Sequence, residues 1–153
     1  MSAMKSRGIL RSAALAVALL LPSTAMAAAE PRNMTQAEAN AAVRQMPALF
    51  NPLFTAAVIR HVVRVCDALE GPSRMQRRAY FLPVYLDARR AGFSRAQIEA
   101  FVNDPQEQAL MQAQVDRFLQ SRGVAPAQPA AVCAFGRAEM AAGTAIGRRL
   151  SER

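Results

Sequence analysis

The chain has no tryptophan, a single histidine, two cysteines and no lysine beyond residue 27. Each shortage closes a route to function. His61 stands without an acid, cysteine or second histidine at one-turn spacing, so neither a zinc set nor an oriented general base is expected, and it reads as a structural residue on a helix edge. No haem-attachment motif, phosphate-cradling glycine loop or nucleophile elbow occurs. The expectation is a protein with no catalytic residues, no cofactor and no metal site. Runs of β-branched residues alternating with polar ones are also missing, and the abundant alanine points to helices.

What is present begins with Met1 to Ala27, which has the form of a secretory signal. Lys5, Arg7 and Arg11 form a basic entry, and Ser12 to Leu21 is an apolar core of about ten residues, half of what a bilayer span needs. Pro22 ends that core. Ala25-Met26-Ala27 supplies small residues at both peptidase subsites, so cleavage is expected after Ala27, or alternatively after Ala29. A short tail over residues 28–34 then leads into a single domain over residues 35–150, in the periplasm or secreted. No second apolar run is expected to approach membrane length, so membrane contact is peripheral at most.

Export changes how the charges and cysteines are read. Nineteen basic residues less the three in the leader leave sixteen, all arginine, against eleven acids, a net of +5. Compartment and modest charge exclude nucleic acid as a partner. In an oxidising compartment Cys66 and Cys133 are expected to form a disulfide, closing a 67-residue loop.

Punctuation predicts an all-α domain of five or six short helices. Thr35 and Glu38 form a capping box for the first, which ends before Pro47. Asn51-Pro52 begins the second, which runs to about Leu69 with Phe54, Val58, Val62, Val65 and Leu69 inward and Ile59 and Cys66 beside them. Ser73 with Gln76 starts the third, in which Pro83 is expected to produce a kink or a division. Ser94 with Gln97 opens a short fourth helix, flanked by Phe93 and Ile98 as a hydrophobic staple. Asp104-Pro105-Gln106-Glu107 combines cap, proline and box for a fifth, ending at Gly123. A last helix over roughly residues 129–150 aligns Cys133, Gly136, Met140, Gly143 and Gly147, a face fitted to helix 2 and one through which a homo-oligomer is possible.

Several arginines have local reasons for their positions: Arg44, Arg89, Arg90, Arg122, Arg148 and Arg149 fall in expected last turns, where the helix dipole favours cations. Five others do not. Arg60 and Arg64 share a face of helix 2, and Arg74, Arg77 and Arg78 open helix 3 against its dipole, so the five form a candidate anion-binding cluster. The competing reading pairs them with Asp67, Glu70 and Asp87 on a solvated surface. Tyr80, Phe81, Tyr85 and Phe93 read as core first and as cavity lining second.

Two segments, Gly92 to Val102 and Cys133 to Arg148, resemble a family of small exported alphaproteobacterial proteins of unknown function. The more specific is the second, with Cys133-Ala134-Phe135-Gly136-Arg137-Ala138-Glu139 followed by Ile146-Gly147-Arg148. The resemblance extends over about residues 34–150, and Cys66 fits its paired-cysteine pattern. It implies no reaction and no ligand. The expected role is therefore a non-enzymatic accessory or binding protein, engaging an anionic envelope component or an acidic protein through the arginine cluster. A peripheral membrane-surface binder and a small enzyme with a cryptic site are the alternatives.

Overall fold

The computed structural model describes residues 33–153, so the expected leader and its expected cleavage site lie outside the described residues. Three capping boxes form as the sequence predicts. In each, the cap hydroxyl accepts the N3 amide, and the N3 side chain accepts the cap amide: Thr35 with Glu38, Ser73 with Gln76, and Ser94 with Gln97. They open α1 (Gln36–Gln45), α3 (Arg74–Arg90) and α4 (Arg95–Asn103). Asp104 accepts the amides of Gln106 and Glu107 at the start of α5 (Pro105–Ser121). The expected reciprocal bond from Glu107 is replaced, because that carboxylate reaches across to Arg44.

Helix α2 spans Pro47–Val65, five residues earlier at its start than Asn51-Pro52 implies. Pro47 at the first helical position is itself a pre-organised start, and the Met46 carbonyl accepts the Leu49 and Phe50 amides. Leu49 is buried, and that burial helps hold the added turn. Pro52 lies inside the helix, and its carbonyl accepts the Tyr80 hydroxyl at 3.0 Å.

The other end of α2 also departs from expectation. The helix stops at Val65, Cys66 is extended, and Leu69–Glu70 forms β1, antiparallel to β2 (Ser151–Glu152). Cys66 is bonded to Cys133 in α6 (Pro129–Ala141) with the Cα atoms 5.2 Å apart, inside the normal range for a disulfide. Tertiary bonding thus ends the helix where local propensity would continue it. By length and composition α2 is the one described helix able to cross a bilayer, which corrects the expectation that no such run exists. Here it is the central helix, packed by α1, α3, α5 and α6.

Pro83 does not divide α3, which continues to Arg90 and is followed by Gly92 at φ 96°. The last helix is shorter than expected. Gly143, at φ 59°, closes α6 in a Schellman turn: its amide donates to Met140, and that of Thr144 donates to Glu139. A short 3-10 turn, Gly147–Arg149, follows. The three glycines therefore share no helical face. Gly136 alone lies in α6, and as expected it meets α2, through Val62, together with Leu69.

Two apolar cores result. One joins α2, α5, α6 and the C-terminal segment through Val58, Val62, Cys66, Leu69, Val115, Leu119, Val132 and Leu150. The other joins α1, the start of α2, and α3 and α4 through Ala39, Val43, Leu49, Ala88, Phe93 and Phe101. All-α architecture with an inter-helix disulfide is what the sequence predicts; the small two-stranded ribbon is the addition.

Candidate functional site

Between α2, α3, the junction of α4 with α5, and the C-terminal segment lies an open cleft of about 1250 Å³. Helix α2 supplies its apolar floor through Leu53, Ala56, Ala57, Ile59 and Val63. Tyr80 and Phe81 of α3 form one wall, and Phe101, Val102 and Met111 face them. The two rings of that α3 wall meet edge to face, with centroids 5.1 Å apart.

Arginines occupy the rim. Arg60, Arg64 and Arg77 of the expected cluster line the cleft, joined by Arg148 and Arg149 from the C-terminal segment. Arg149 stacks its guanidinium 4.3 Å from the Tyr80 ring centroid and donates to the Ala145 carbonyl. Arg77 donates to the Pro72 carbonyl at 2.8 Å. Arg60 is exposed and makes no hydrogen bond or ion pair among the described residues. The one carboxylate on the lining, Glu107, already pairs with Arg44, which lies outside it. Five cations against one engaged anion leave the cleft strongly positive.

Arg74 and Arg78 point elsewhere. They are exposed, absent from the cleft lining, and belong to the outer side of α3, so the structure divides the expected cluster of five into three and two. One helical step separates the groups: Arg77 lies about 100° from Arg78 around the axis. The expected pairing with acids is also replaced. Asp87 binds Arg90 at 2.6 Å, and Glu70 accepts from Ser151, whereas neither Arg64 nor Arg74 contacts Asp67 or Glu70.

His61 is buried and does not line the cleft. Its Nε2 donates to the Pro126 carbonyl at 2.9 Å, while Nδ1 accepts from Arg64 and Gln112, each at 3.0 Å. That set of partners requires the Nε2–H tautomer and occupies both ring nitrogens. It joins α2 and α5 to the loop before α6, a structural role as expected. Tyr85 stands outside the cleft, and Phe93 is in the second core. Sequence reading missed Arg148 and Arg149 because both have a sufficient local explanation at a helix end; only the C-terminal turn brings them over Tyr80.

No curated protein and no solved structure gives a significant match to the chain. The model of the Family of unknown function (DUF5333) matches residues 41–151, which include both cysteines and every arginine of the cleft, and the chain belongs to that family.

Proposed function

We propose that this is an exported, non-enzymatic binding protein of the periplasm that holds an anionic envelope component in the arginine-lined cleft. The observation that carries the reading is the pairing of an apolar floor with a rim of five arginines, among which Arg60 has no partner and the only carboxylate is already engaged. Apolar surface beside unspent positive charge fits an amphipathic anion, whose chain lies along α2 and whose phosphate or carboxylate meets the guanidinium groups. The leader-like residues 1–27 and the Cys66–Cys133 disulfide support export, as does the resemblance to small exported alphaproteobacterial proteins. The polar groups near the floor are engaged in fixed structural bonds, Tyr80 with Pro52 and Glu107 with Arg44, which suits holding a ligand better than transforming one.

Calorimetric titration with dodecyl phosphate tests the reading. Saturable binding is expected, with inorganic phosphate alone weaker. Arg60→Gln and Arg77→Gln should each weaken it about tenfold, the value of one charge-assisted hydrogen bond. Absence of saturable binding, or an affinity unchanged in the double variant, overturns it.

A further inference from the structure

Helix α3 carries apolar side chains on its outer face as well as on the inner face that Val84 and Ala88 pack against the second core. Among its residues only Ala88 is fully buried, while Met75 is 80% exposed, Leu82 57% and Leu86 41%. Met75, Ala79, Leu82 and Leu86 follow one another by four, three and four residues, so they form one stripe along the outer face, roughly 16 Å long at the helical rise. Arg78 and Arg89 border the stripe on one side, with Arg74 beyond them, and Arg90 borders it on the other. Asp87, the single acid of the helix, lies off that face and is taken by Arg90. Arg74 and Arg78 make no hydrogen bond or ion pair among the described residues, and they sit in the first two turns, where the helix dipole opposes a cation.

We propose that this outer face of α3 lies on an anionic lipid surface. The charge is complementary: five arginines against one aspartate over the helix, with the two free ones beside the apolar stripe. The geometry is that of an interfacial helix, in which apolar side chains enter the boundary between headgroups and acyl chains, and long basic side chains extend sideways to the phosphates. A single convex stripe bordered by arginine on both sides suits a plane of headgroups. The surface is independent of the cleft, since Met75, Leu82, Leu86, Arg74 and Arg78 are all absent from its lining.

Because the protein has no tryptophan, Leu86→Trp installs a reporter with no background, at a position where an interfacial indole is favoured. In the full chain, its emission should shift to the blue on adding vesicles of phosphatidylglycerol with phosphatidylcholine, and should not move with phosphatidylcholine alone. Met75→Asp with Leu82→Asp should abolish the shift. Arg74→Gln with Arg78→Gln should weaken vesicle partition about twenty-five-fold, or about fivefold per arginine. All five positions are exposed, so an unchanged far-UV melting curve is expected for every variant. Emission that ignores the anionic vesicles, a shift equal on both vesicle types, a shift retained in Met75→Asp with Leu82→Asp, or a partition unchanged in Arg74→Gln with Arg78→Gln overturns the assignment. A shift produced by an acidic protein and by neither vesicle does so as well.

Discussion

A Cβ placed on Gly136 would stand 2.5 Å from Leu69 Cδ1, closer than any real Cβ contact, and 3.1 Å from Val62 Cγ1. The close approach of α6 to α2 and β1 therefore depends on a missing side chain. Gly136→Ala gains about 1 kcal/mol of helix propensity but overpacks a site where Leu69 and Val62 are fully buried. A net loss of about 1 to 2 kcal/mol is expected in urea unfolding. Shortening the neighbour should relieve it: in a Leu69→Ala background, the added methyl should cost nothing or stabilise. A cost that persists there would place the strain somewhere other than this contact.

Gly147 is more severely constrained. Its Cβ would fall 1.9 Å from the Glu139 carbonyl oxygen, a backbone atom that has no rotamer to change. That approach belongs to the turn in which Glu139 and Thr144 hold the chain after α6, with Gly147 donating to the Thr144 hydroxyl at 3.0 Å. Gly147→Ala should cost more than about 3 kcal/mol, or prevent folding. Gly143→Ala, which meets nothing within 4 Å but sits at φ 59°, should cost only about 1 to 2 kcal/mol. The order of the two midpoints in denaturant tests the assignment.

The disulfide closes a loop 67 residues apart in sequence and ties the end of α2 to the first turns of α6. In the chain-entropy account this removes about 4 kcal/mol of freedom from the unfolded chain. Cys66→Ser with Cys133→Ser should lower the unfolding free energy by up to about that amount. Denaturation of the native protein should expose no reactive thiol until a reductant is added. Two titratable thiols without reductant would refute the pairing.

Local chemistry was the legible part of this sequence. Thr35, Ser73 and Ser94 each announce a helix start because cap and box lie within four residues, and the three form as read. The errors fall where distant partners compete. Cys66 and Leu69 continue the apolar stripe of α2, yet the bond to Cys133 and the pairing of β1 with β2 take them out of the helix. Gly143 fits a helix-packing stripe equally well as a left-handed cap, and only its bond to Met140 and that of Thr144 to Glu139 decide between the two. The cleft was half legible for the same reason. Arg60, Arg64 and Arg77 are close in sequence, whereas Arg148 and Arg149 reach them only through the terminal turn.

Arg44 and Glu107 join α1 to α5 through a pair whose members differ in exposure, 34% for the arginine and 9% for the glutamate. Removing one partner should therefore cost less than removing the other. Glu107→Ala leaves a guanidinium that water can reach, and about 1 kcal/mol is expected. Arg44→Ala leaves a carboxylate buried without its cation, and about 2 to 3 kcal/mol is expected after allowance for the pair's partial exposure. Comparing the two variants with the double variant in a thermodynamic cycle checks this; equal single costs would contradict it.

Glu38 is held below the ordinary glutamate range, first by the hydrogen bond of its carboxylate with the Thr35 hydroxyl and then by the Thr35 amide. A carboxyl with a lowered pKa in the folded chain binds fewer protons there than in the unfolded one. Its contribution to holding the start of α1 is therefore complete above the unfolded value, and it is lost as pH falls through the lowered folded value. Amide exchange in the first turn of α1 should accelerate over that acidic window. Thr35→Ala should bring the Glu38 carboxyl titration, followed by carbon-detected NMR, up toward that of an ordinary glutamate. Glu152 serves as the control, since Arg137 lowers it through a separate hydrogen bond and Thr35 has no part in it. If Glu38 titrates unchanged in Thr35→Ala while Glu152 also holds its value, the capping box is not what lowers Glu38, and the acid sensitivity of α1 must come from another carboxylate.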